Sequence, residues 1–95
     1  MFIVLLRFSS NKALASQFVE GHKQWLQRGF DDGVFVLSGS LQPDQGGGIM
    51  AHATSHAELQ ERVSRDPFVA EGVVSAEILE LTPSRADERL QFLRG

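Results

Sequence analysis

His22 is the residue in this sequence whose type and setting best suit proton transfer. The imidazole is the side chain whose charge changes nearest neutral pH. Leu14, Phe18, His22 and Trp25 follow one another at spacings of four, four and three, which places them on one face of a helix. His22 is then the polar member of an apolar stripe. Two readings follow: a core histidine whose ring nitrogen bonds a backbone carbonyl, or a general acid or base beside a cavity. Asp66 poses the same choice. Standing directly before Pro67, it occupies the position of a helix N-cap. A carboxylate there can also accept a bond from an imidazole, holding its tautomer and stabilising its protonated form.

Other polar groups offer less. Ser38-Gly39-Ser40 combines two hydroxyls with a glycine that permits close backbone approach, and a strand bulge accounts for it equally well. Gly46-Gly47-Gly48 has the composition of a phosphate cradle, yet it precedes a strand instead of opening a helix and lacks the spacing of a nucleotide-binding loop, so it is expected to be a hairpin loop. His52 and His56 are four apart, but a helix start falls between them, which separates their faces and argues against a metal site. With no cysteine, disulfides, thiolate nucleophiles and Cys-ligated metals are excluded. No metal and no organic cofactor is expected.

The elements that must position these residues can be read along the chain. FIVLLRF, residues 2–8, is almost continuously apolar and reads as a central strand. Residues 13–28 read as a helix that Gly29 stops. Residues 34–41 form a second strand, residues 42–48 a turn or loop, and residues 49–54 a third strand. Ser55 and Glu58 have the spacing of a capping box opening a helix to about Arg65. Asp66-Pro67 then starts a short turn closed by Gly72, and residues 73–81 make the last strand. After Pro83, a C-terminal helix over residues 84–95 is expected, with Ala86, Leu90 and Leu93 on one stripe. The order βαββαβ predicts one α+β domain over residues 1–95, a ferredoxin-like antiparallel sheet with both helices on one face. The other face, apolar in strands one and four, calls for an isologous homodimer.

The chain has 95 residues, with 9 Lys and Arg against 12 Asp and Glu. That mildly acidic balance, without a basic run, provides no footprint for nucleic acid. The longest apolar run is far short of the ~20 residues of a membrane span, and no positive segment precedes it, so no membrane partner is expected and the cytoplasm is the expected compartment.

These residues resemble the YciI-like (YCII-related) family of small α+β proteins. The likeness rests on the apolar opening strand, on His22 within VEGHKQWL, on the small-residue turn LSGSL, and above all on Asp66-Pro67-Phe68-Val69-Ala70-Glu71-Gly72-Val73, similar to the family's D-P-[FY] signature ending in glycine and a hydrophobic residue. The resemblance implies a ferredoxin-like dimer of the α+β barrel type, with an active site pairing His22 and Asp66. The family commonly has Gly-Pro after strand two, where this chain has Gly39-Ser40. The resulting expectation is an enzyme of the lyase or isomerase type that moves a proton on a small cyclic or aromatic substrate. Phe18, Trp25 and Phe68 would line the pocket, and Ser38 and Ser40 would bond substrate oxygens. The rivals are a non-catalytic small-molecule binding or accessory module and a purely structural dimer. An enzyme needs the histidine beside an open cavity, a binder needs only the cavity, and a structural protein needs neither.

Overall fold

The computed structural model describes residues 1–94. Four strands, β1 (Phe2–Phe8), β2 (Phe35–Leu41), β3 (Gly46–Ala51) and β4 (Val74–Glu80), form one sheet in the order β2-β3-β1-β4. Every neighbouring pair is antiparallel. Helix α1 (Ala15–Asp31) joins β1 to β2, while α2 (His56–Ser64) and the single turn α3 (Pro67–Ala70) join β3 to β4. This is the ferredoxin-like α+β arrangement expected from the order of elements.

Register decides which side chains meet the helices. Val4 of β1 lies between Ile49 of β3 and Ile78 of β4, and Phe2 lies beside Ala51. With Leu6, Phe35 and Val74 these make the sheet half of the core, against Trp25, Leu59 and Val63 from the helices. The alternate positions, Ile3 and Leu5 among them, face the opposite side, which no helix covers among the described residues. There the register lines up Leu37, Met50, Ile3 and Leu79 in one row across all four strands, with Leu37 58% and Leu79 43% exposed.

Three expectations need correction. Helix α1 runs through Gly29 to Asp31 and is stopped instead by Gly33, which has φ of +73° and donates its N–H to Phe30 O. Gly29 serves close packing, since a Cβ there would come within 2.1 Å of the Phe35 ring. Strand β3 begins at Gly46, not at Ile49, and ends at Ala51. Residues 46–48 have the composition of a loop, yet their backbones pair with Leu5, Leu6 and Arg7, and a ladder needs no side chains. Finally, the C-terminal helix is of 3-10 type and starts only at Glu88. The chain makes a 3-10 stretch over Glu88–Arg94, opened by Asp87, whose carboxylate accepts the Arg89 N–H. Leu93 is buried, whereas Leu90 is 43% exposed, so the expected stripe is absent; Gly95 lies outside the described residues.

Candidate active site

Two local structures bring His22 and Asp66 together. Asp66 is the N-cap of α3: its backbone is extended, Pro67 takes the first helical position, and Oδ1 accepts the Phe68 N–H at 3.0 Å. Helix α1 passes this turn at Gly21, where a Cβ would lie 3.1 Å from Pro67 Cγ. The absence of a side chain at Gly21 therefore allows the approach that sets the next residue, His22, beside the cap. Trp25, one turn further along α1, donates its indole N–H to Arg62 O at 2.9 Å and pins α1 to the end of α2.

The His22 Nδ1 lies 2.8 Å from Asp66 Oδ1. An ionised carboxylate only accepts hydrogen bonds, so this contact assigns the proton to Nδ1 and leaves the lone pair on Nε2. The Asp66 side chain is fully buried and that of His22 is 16% exposed. The ring is held from its face as well, by Phe68 stacked at 4.2 Å with 8° between the planes. Nε2 bonds no group among the described residues, yet it is not among the buried atoms that lack a partner; that condition belongs to Asp66 Oδ2. The free nitrogen is thus accessible, while the carboxylate that orients the ring is sealed from water.

What Nε2 meets is a cavity of about 340 Å³ between the sheet and the helices, within the range of small-molecule sites. Its roof is His22, Leu26 and Phe68; its floor is Leu6, Phe8, Ile49 and Val74 with the backbone of residues 46–48; and Ser38, Gly39 and Ser40 form its β2 side. Ser38 pairs with Ile49 and Ser40 with Gly47, so both hydroxyls stand on the cavity side. Gly39 pairs with Gly48 on the opposite face and adds only backbone.

The expected site residues thus divide. His22, Ser38, Gly39, Ser40 and Phe68 line one cavity, with Asp66 directly behind His22. Phe18 and Trp25 do not line it. Trp25 is 2% exposed and stacks behind His22 at 5.8 Å, and Phe18 packs against the core. Their helical face is that of His22, but the stripe is wide enough to turn these two toward other elements. Sequence reasoning missed Leu26, which the four-residue spacing from His22 would have found, and the three glycines, whose strand pairing has no local signal. His52 packs edge-on to Phe92, and His56 is tilted over Phe2. Among the described residues no group of three or more His, Cys, Asp or Glu is arranged to hold a metal ion, and no helix is long and apolar enough to cross a membrane.

Comparison with known proteins adds a fold and a family. No protein with a curated description matches the chain. Among solved structures, it is similar to the 5-chloro-2-hydroxyhydroquinone dehydrochlorinase TftG of Burkholderia phenoliruptrix AC1100, in complex with 2,5-dihydroxybenzoquinone. The TM-score is 0.68 at 15% identity, covering 85% of this chain and 93% of that one. The sequence profile of the YCII-related domain matches residues 1–82, which hold β1 to β4, both partners of the His22–Asp66 bond and the whole cavity lining. The chain belongs to the YCII-related domain family.

Proposed function

We propose that this protein is a small-molecule enzyme of the lyase or isomerase type, in which His22, oriented by Asp66, moves a proton on a small cyclic or aromatic substrate. The observation that carries this reading is the 2.8 Å bond between a fully buried carboxylate and an imidazole whose other nitrogen is free at a cavity wall. Nε2 takes a proton from a carbon or hydroxyl of the substrate, and the electron pair left behind forms a C=C or C=O bond. In a lyase that pair expels a leaving group from the adjacent carbon as its anion; in an isomerase the imidazolium returns the proton at another carbon. Asp66 stabilises the imidazolium while it exists. Ser38 and Ser40 donate to substrate oxygens, and Phe68 offers a flat wall. Each of these steps uses only the chain's own groups. The likeness to a dehydrochlorinase in complex with a benzoquinone supports a ring-shaped substrate.

The working form is proposed to be a homodimer joined through the uncovered sheet face. The row of Leu37, Met50, Ile3 and Leu79 supports it, because contiguous apolar surface of that kind marks an interface.

A non-catalytic dimeric binding module is the second reading, favoured by the cap that Asp66 provides to Phe68 whatever His22 does. Proton exchange separates the two. Incubated in deuterated water with 5-chloro-2-hydroxyhydroquinone, the parent protein is expected to release chloride or deuterate the ring, and His22→Asn to lose about 10²–10⁴-fold of that rate. Equal rates in the two proteins, with the ring bound by both, would establish the binding module instead.

A further inference from the structure

The proposed chemistry makes no use of Gly46-Gly47-Gly48, and the three positions differ in what they demand. Gly46 has φ of +130°, and a Cβ there would lie 1.9 Å from Leu6 O, so the backbone itself requires glycine. Gly47 is not in the left-handed region, and the nearest atom to its Cβ would be Gly39 O at 3.3 Å. The ladder sets Gly47 between Leu6 and Ser40, on the side facing the helices. The room that a side chain would take there is the cavity. A glycine inside a strand weakens it, and a Cβ here would be tight against Gly39 O, so a side chain enters only if the β2 backbone gives by a few tenths of an ångström. The fold is thus given a weaker strand, and the cavity a floor of bare peptide.

Opposite that floor lie the parallel rings of His22 and Phe68. Among the described residues, the lining contains no Lys, Arg, Asp or Glu. Lys12 rests over the Phe8 ring but is paired with Asp44. With Asp66 ionised, the His22–Asp66 pair carries no net positive charge whether or not the imidazole is protonated. An anion entering the cavity would lose its water and gain no counter-charge, which is costly for any ionised group.

Resting on the reading of this cavity as the substrate site, we infer that the bare backbone at Gly47 is its specificity element. The ligand it selects is a flat ring carrying uncharged hydroxyl or carbonyl groups, with carboxylates and phosphates rejected. A flat ring reaches van der Waals contact with the peptide floor, where a side chain would hold it away. Its oxygens then lie within reach of Ser38 and Ser40.

Three probes of similar size isolate the two properties. Resorcinol is flat and uncharged, 1,3-cyclohexanediol is puckered and uncharged, and 3-hydroxybenzoate is flat and anionic. In ligand-detected NMR titrations of the full chain, resorcinol is expected to bind saturably at millimolar concentration and the other two at least about tenfold more weakly. Gly47→Val is expected to weaken resorcinol by about tenfold or more. Gly47→Ala should fall between, and carries the test if the valine variant does not fold. Equal or tighter binding of either other probe, saturation by none of the three, or parent-like resorcinol affinity in a folded Gly47 variant overturns the inference. The catalytic reading fails separately: if the parent exchanges no proton yet Gly47→Val loses resorcinol, catalysis is wrong and the floor stands. If protons exchange in a His22-dependent way but 3-hydroxybenzoate binds equally, the reverse holds.

Discussion

At His22 and Asp66, stability and function can be varied separately because the two residues share one buried bond. His22→Phe removes the donor and leaves a fully buried carboxylate with the Phe68 N–H as its remaining partner. Breaking a buried pair from one side is costly, so urea unfolding should show a loss of about 3 kcal/mol. His22→Asn places an amide N–H near the former Nδ1, keeps the bond to Asp66 and deletes Nε2; it should retain more stability than the phenylalanine variant and still lose proton transfer. Asp66→Asn is the complement. Asn caps as well as Asp, and Oδ2 has no partner to lose, so this variant should unfold within about 1 kcal/mol of the parent. The His22 tautomer should nevertheless change, because the anionic acceptor that assigns the proton to Nδ1 is gone. Ring-nitrogen NMR shifts that are identical in parent and Asp66→Asn would refute the orienting role.

Among the elements, α2 owes its start to a capping box. Ser55 Oγ accepts the Glu58 N–H at 3.1 Å, and Ser55 N–H donates back to Glu58 Oε1 at 3.0 Å. The Ser55 N–H, and after it the Ser55 hydroxyl, hold the Glu58 carboxyl below its ordinary pKa. A lowered carboxyl contributes stability above its unfolded-state value and loses it as pH falls through the folded one. Ser55→Ala should cost about 1 kcal/mol at neutral pH, while Glu58→Gln, which removes the titrating carboxyl, should flatten the acid-side fall in stability, read from urea midpoints across a pH series. This box and the Asp66-Pro67 turn were legible in the sequence because each is written within four residues. The His22–Asp66 pairing was legible only through the family resemblance, since nothing local ties α1 to α3. The strand made by Gly46, Gly47 and Gly48 was not legible. Its hydrogen bonds go to β1, distant in sequence, and glycine composition signals loop wherever such partners are unknown. The C-terminal segment misled in the other direction, because an apolar spacing suggested a packed stripe that only Leu93 fulfils. Amide hydrogens of residues 88–92 are accordingly expected to exchange quickly, and slow exchange there would point to a packed helix.

The molecule as a whole has one dressed and one bare sheet face. On the bare face an Arg7–Glu77 ion pair of 2.8 Å, half exposed, adjoins the apolar row. Such pairs contribute little by themselves, so the apolar row is the part that matters for association. Met50 sits between Leu37 and Ile3 in that row. Met50→Lys is expected to convert a homodimer into monomer in sedimentation at micromolar concentration, while the helix-side cavity and its ligand affinity persist. A parent protein that sediments as a stable folded monomer would rule the dimer out.

The chain contains a single tryptophan. Trp25 is shielded from water and stacks on the face of His22 at 5.8 Å, 28° from parallel. Indole emission is quenched by a neighbouring imidazolium and shifts with polarity, so the intrinsic fluorescence of this protein is expected to respond to changes at His22. No label needs to be attached, and no other indole obscures the signal. If His22 takes a proton from the ligand as proposed, a stopped-flow trace of that emission is expected to show ligand arrival and proton transfer as separate phases.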